Sequence, residues 1–177
     1  LHELPEASSL ELISSMLALP TLPEKLQRLI LEKSQGNPLF VEEVVKSLVE
    51  AGAIARRGDD WVVVERLDAT AIPDTIQGVI LSRLDRLEEG SRHVVQVASV
   101  IGRRFRYLVL EGVYPQPDGL TERLAGLHAV DLVLAEEYIS DPIYLFKHVL
   151  TQEVAYDSLL YARRREFHGK IAACIER

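Results

Sequence analysis

Three residues stand where their types could do chemistry: Asn37, Pro38 and His148. The segment Gly36-Asn37-Pro38-Leu39-Phe40 runs directly into Val41-Glu42-Glu43-Val44-Val45-Lys46-Ser47-Leu48. It reads as a glycine turn, a capping asparagine, a proline at the first helical position and an amphipathic helix. Asn37 can accept a hydrogen bond from a first-turn N–H, and Pro38 takes the position where no N–H is needed and a fixed φ suits the helix. A proline ring held at the mouth of a helix is a surface on which a flat ligand can pack. The same residues also make a sound helix start with no ligand at all. His148 falls between an expected strand and an expected helix start. The free N–H groups and positive potential of a helix N-terminus favour an anion such as phosphate, and an imidazole N–H beside it can donate to that anion. A partly buried histidine that satisfies a backbone carbonyl is the plainer alternative.

Other chemistry is poorly provided for. His93, His128, His168 and Cys174 show no metal-ligand spacing, and no Ser–His–Asp arrangement can be assembled. There is no Gly-x-x-x-x-Gly-Lys-Ser/Thr phosphate loop, nor an apolar strand ending in paired acids that could hold magnesium. These residues are therefore not expected to hydrolyse ATP by themselves. Arg163-Arg164-Arg165 and Arg103-Arg104-Phe105-Arg106 are basic clusters, read first as solvated faces or partners of acids.

The elements that must position these residues are mostly helical. Thr21-Leu22-Pro23-Glu24 has the form of a capping box, and Asp74 to Gln77 forms a second one. The helix after Asn37 buries Val41, Val44, Val45 and Leu48 and ends near Gly52. Ile54-Ala55-Arg56-Arg57, a Gly58-Asp59-Asp60 turn and Trp61-Val62-Val63-Val64 then read as a hairpin. A helix begun by Pro73 carries an apolar stripe of Ile76, Val79, Ile80, Leu84 and Leu87. Beyond Gly90, Val94, Val95, Val97, Ala98 and Ile101 form a nearly all-apolar helix. Shorter helices are expected at 107–112 and 120–129. Two short strands, at 132–135 and across 138–146, follow them. Three helices and then a hairpin is the winged form of the helix-turn-helix. Helices at 151–160 and 163–175 complete the chain.

At 177 residues, with 47% hydrophobic and 27% charged residues, the chain has the composition of an ordinary water-exposed domain protein. Its net charge of -7 opposes a generally basic nucleic-acid binder. One cysteine excludes an internal disulfide, and no apolar run is long enough to span a membrane. A cytoplasmic location, with no membrane partner, fits these features. Because the sequence begins at Leu1 rather than methionine, it is expected to be part of a longer protein.

Gly36-Asn37-Pro38-Leu39-Phe40 and Phe146-Lys147-His148-Val149-Leu150 together resemble a known family. The chain is similar to the part that follows the nucleotide-binding core in STAND-type signalling ATPases. These are AAA-like NTPases that include NB-ARC proteins, large LuxR-type regulators and ATPase modules joined to class III adenylate/guanylate cyclases. Gly36-Asn37-Pro38-Leu39 matches the family's glycine-x-proline lid motif, whose proline is expected against the adenine. Lys147-His148-Val149-Leu150 lies where many members carry Met-His-Asp-Leu, whose histidine is expected near the β-phosphate of ADP. Val149 stands where that motif has aspartate, so any contact made by that carboxylate is absent here. Phe146-Lys147-His148 with Gln152-Glu153-Val154-Ala155-Tyr156 looks most like the cyclase-associated branch.

The resemblance implies a mainly α fold. It places a helical lid subdomain with a hairpin at 1–88, a winged-helix domain at 89–161 and the start of a helical sensor region at 162–177. It implies no catalytic residue in this part, with Asn37, Pro38 and His148 as nucleotide contacts and no metal ligand. ATP or ADP would be the cofactor of the longer protein, with none expected on this part alone. The expected partners are a phosphate-loop core in the same chain and output or sensor domains. Two other readings remain: a winged-helix DNA-binding regulator and a ligand-free helical scaffold. DNA is disfavoured, because the expected recognition helix, 120–128, offers only Thr121, Arg123 and His128 beside Glu122.

Overall fold

Burial at helical spacing organises the first part of the chain. In the computed structural model, which describes residues 4–17, 22–57, 60–63, 72–116, 118–136 and 141–176, the backbone divides into two compact units, Leu1–Arg83 and Leu84–Arg177. Among the described residues the fold is mainly helical, with two small antiparallel sheets. No helix among the described residues is long and apolar enough to cross a membrane.

Unit 1 contains α1 (Glu6–Leu17), α2 (Glu24–Ser34), α3 (Pro38–Glu50), β1 (Ile54–Arg57), β2 (Asp60–Val63) and most of α4 (Ile76–Arg86). Its core is built on α3. Phe40, Val41, Val44, Val45 and Leu48 recur every three or four residues and are almost completely buried. Ile13 and Leu17 of α1, Leu26 and Ile30 of α2, Ile54 of β1 and Val79 of α4 close around them. The α2–α3 turn uses two successive left-handed residues, Gln35 (φ 47) and Gly36 (φ 74). The hairpin pairs Ile54 with Val63 and Arg57 with Asp60, so β2 starts one residue earlier than the periodicity suggests. Gly58, Asp59, Val64 and Thr21 lie outside the described residues. The first capping box is nonetheless corrected: Pro23 is the cap residue of α2, without a side-chain cap bond, and Glu24 is its first helical residue rather than its third.

The second capping box is corrected. α4 is capped by Thr75, not Asp74: Thr75 Oγ1 accepts the Gly78 N–H at 3.1 Å. Asp74 lies one residue too early to reach the first turn and forms an ion pair with Lys33 instead.

Unit 2 follows the order α5 (Glu89–Ile101), β3 (Arg104–Arg106), α6 (Tyr107–Val113), α7 (Leu120–Ala129), β4 (Val133–Glu136) and β5 (Ile143–Phe146). The sheet order is β3-β5-β4, antiparallel throughout. This is the topology of a winged helix, with α7 in the recognition-helix position. β3 falls within the basic cluster Arg103-Arg104-Phe105-Arg106. Its Arg-Phe-Arg pattern points Phe105 inward, where it stacks on Tyr144 at 5.8 Å, and leaves both arginines outside. Three residues are too few for a period-two signal to stand out.

α8 (Val149–Asp157) is tied to α5 through Gln152 Nε2, which donates to the Ser99 carbonyl at 2.8 Å. α9 (Tyr161–Ile175) lies within the same compact unit, with Phe167 and Ile171 buried. At Gly112 of α6, a Cβ would come within 2.8 Å of Cys174 Sγ on α9, so the missing side chain allows that close approach. α9, which covers most of the 162–177 segment, packs against α5 and α6.

Candidate functional site

The start of α3 is fully accounted for, donor by donor. Asn37 is the cap residue (φ -77, ψ 111), and its Oδ1 accepts the N–H groups of Leu39 at 3.0 Å and Phe40 at 3.3 Å. Its carbonyl accepts the Val41 N–H at 3.0 Å. Pro38 has no N–H to satisfy. The first turn therefore has no backbone donor left for an anion, and what it presents is the half-buried Pro38 ring. That ring borders a cleft of about 500 Å³ within unit 1, lined also by Lys33, Asn37, Phe40, Thr75 and Gln77. The start of α4 thus borders the same cleft.

α8 begins differently. His148 is its cap residue in extended conformation (φ -122, ψ 137), and its side chain makes no capping bond to the first turn. Its carbonyl accepts the Thr151 N–H at 3.1 Å, and its Nε2 is shielded from solvent. The neighbours are firmly placed. Phe146 is fully buried, Lys147 Nζ pairs with Asp131 at 2.9 Å, and Thr151 is buried, whereas Val149 is half exposed. Asn37 and Pro38 belong to unit 1 and His148 to unit 2.

A buried ion triad joins α3 and α4. Arg83 of α4 and Glu43 of α3 are each 1% exposed. Arg83 Nη1 donates to Glu43 at 2.5 Å, while Nε and Nη2 grip both oxygens of Glu50 at 2.9 and 2.5 Å. Burial alone would lower the pKa of Arg83, but the two carboxylates outweigh it and hold it above its ordinary value. The signal was present in the sequence: Arg83 interrupts the Val79, Ile80, Leu84 stripe at a position that faces the core. The triad fixes α4 against the helix that Pro38 begins. No reacting group is implied by it.

The basic clusters are largely neutralised. Arg104 pairs with Glu136 and Arg106 with Asp141, each at 2.5 Å, and Asp141 also accepts the Leu108 N–H at the start of α6. The triple arginine is dispersed. Arg163 pairs with Glu166 at 3.0 Å, while Arg164 lies over the Tyr156 ring and donates to the carbonyls of Asp157 and Leu159. On α7 the exposed positions are Thr121, Glu122, Ala125, Gly126, His128 and Ala129. Arg123 turns aside to donate to the Asp118 carbonyl at 2.7 Å. Among the described residues, no group of three His, Cys, Asp or Glu side chains is close enough together to hold a metal ion.

Residues 5–60 match a family model described as a domain of unknown function (DUF8739). The match spans α1 to α3 and the hairpin as far as Asp60, and so contains Asn37 and Pro38. No curated protein matches the chain.

Proposed function

We propose that this chain is the lid and winged-helix part of a STAND-type signal-transduction ATPase, and that it couples the ATP or ADP state to an output domain. The observation that carries this reading is the start of α3, where a rigid proline ring borders a cleft at a helix mouth whose donors are all satisfied. Such a surface suits a flat base and gives a phosphate nothing to bind. The phosphate contacts would come from a phosphate-loop core elsewhere in the same protein, and from His148. In the ADP state Pro38 would touch the base and His148 the β-phosphate. ATP would remove the preference for that closed form. A switch of this kind requires different contacts with the two nucleotides. The fragment alone would be neither an enzyme nor a holder of nucleotide, and its location would be cytoplasmic.

The DNA-binding alternative is less well supported by the exposed face of α7, where Thr121 and His128 stand among small residues and Glu122 and His128 Nδ1 is engaged by the Val133 carbonyl at 3.0 Å. A ligand-free scaffold would leave Pro38 and His148 replaceable without a functional effect.

The test is ADP retention by the protein expressed from its whole reading frame. Pro38→Ala and His148→Ala should each weaken ADP binding by about tenfold, equivalent to the loss of about 1.4 kcal/mol, and raise basal output. Unchanged ADP affinity in both variants would overturn the proposal.

A further inference from the structure

The polar side chains around the Pro38 cleft are unevenly engaged. Lys33 and Asp74 are paired with each other. The buried Ser34 hydroxyl donates to the Leu31 carbonyl at 3.3 Å. Asn37 Oδ1 caps α3, and Thr75 Oγ1 caps α4 by accepting the Gly78 N–H at 3.1 Å. Two lining carboxamides, those of Gln35 and Gln77, make no hydrogen bond among the described residues. They are not equivalent. Gln35 is left-handed at the end of α2 (φ 47) and also borders a separate cleft formed with α1. Gln77 stands in the first turn of α4.

That turn is firmly held. Ile76 and Val79 join the core around α3, and Arg83 ties α4 to Glu43 and Glu50 of α3. A Cβ at Gly78 would come within 2.9 Å of Pro73 Cβ, so the chain entering α4 lies close against the helix. The backbone under Gln77 is therefore fixed, while its side chain is exposed and free to turn to a ligand.

We infer that Gln77 reads the edge of the base that rests on Pro38. The inference rests on the nucleotide reading of this cleft and adds what selects the base. A proline ring supplies only a face, and every base has a face to offer it. A carboxamide carries an acceptor and a donor side by side, the pattern that pairs with the exocyclic amine and the adjacent ring nitrogen of adenine. The Gln77 oxygen would accept from the amine, and its NH₂ group would donate to the ring nitrogen.

The test compares ADP with purine riboside diphosphate, which lacks only that amine, in the protein expressed from its whole reading frame. The unsubstituted protein should hold ADP about tenfold more tightly than the analogue. Gln77→Ala, at an exposed position and to a strong helix former, should bring the two close to parity by weakening ADP. Gln35→Ala should leave the tenfold gap. Pro38→Ala should weaken both nucleotides together and keep their ratio, because it removes a face and not an edge contact. The inference alone is overturned if Pro38→Ala weakens both nucleotides but the gap is absent from the start, survives Gln77→Ala or closes in Gln35→Ala. If ADP does not bind, or if Pro38→Ala changes neither affinity, the nucleotide reading falls and the inference falls with it.

Discussion

The starts of α3 and α8 solve the same problem in opposite ways. Asn37 closes α3 with two side-chain hydrogen bonds, and Pro38 follows with no donor to satisfy. α8 begins at His148, a residue outside the preferred capping set, which makes no side-chain bond to the first turn. α3 is further locked by the buried triad of Arg83, Glu43 and Glu50, whereas α8 is joined to α5 by Gln152. The first site is built for rigidity and offers a surface. The second start has no side-chain cap and carries a histidine at the cap position.

The largest expected effect tests the lock on α3. Arg83→Ala leaves Glu43 buried without its cation and should cost unit 1 about 3–5 kcal/mol. Amide hydrogen exchange in urea at Val44 and Val45, buried on α3, reads the loss directly. A midpoint shift equivalent to less than about 1 kcal/mol would show that the triad does not hold α3 in place.

The two caps should respond with opposite signs. Asn37→Ala should destabilise unit 1 by about 1 kcal/mol, while His148→Asn should stabilise the start of α8 by up to about 1 kcal/mol. Amide exchange at Phe40 and Thr151, one in each first turn, reports both. Matching signs would erase the contrast between the two helix starts.

The smallest effect concerns pH in unit 2. His93, faced by Tyr114, Phe167, Arg163, Lys170 and Glu89, is pushed below its usual 6.5 by burial and then by Arg163. As the pH falls, the unfolded chain takes up this proton first. The associated stability is therefore present above 6.5 and is lost as the pH drops through that value toward the lower folded one. Unit 2 should unfold at lower urea at pH 5.5 than at pH 7.5, and His93→Gln should narrow the difference. An unchanged gap would assign the pH effect to other groups.

Much of this was legible in the sequence. Helix periods, Asn37 as cap, the hairpin and the order of helices in the winged unit all follow from local spacing. What was not legible depends on contacts distant in sequence. Spacing places Arg83 on the core face of α4 but does not name the partners that hold it there, because its carboxylates lie 33 and 40 positions away. β3 is three residues long and gains its identity only by pairing with β5. Asp74 and Thr75 compete for one cap, and only the observed start of α4 at Ile76 decides between them.

The central claim, that His148 occupies the start of α8 for a ligand rather than for the fold, is tested most directly by His148→Asn in the protein expressed from its whole reading frame. One preparation would be measured for both α8 stability and ADP dissociation. The account predicts an α8 that is as stable or more stable, together with ADP released about tenfold faster. Unchanged ADP dissociation in a stabilised α8 would contradict it.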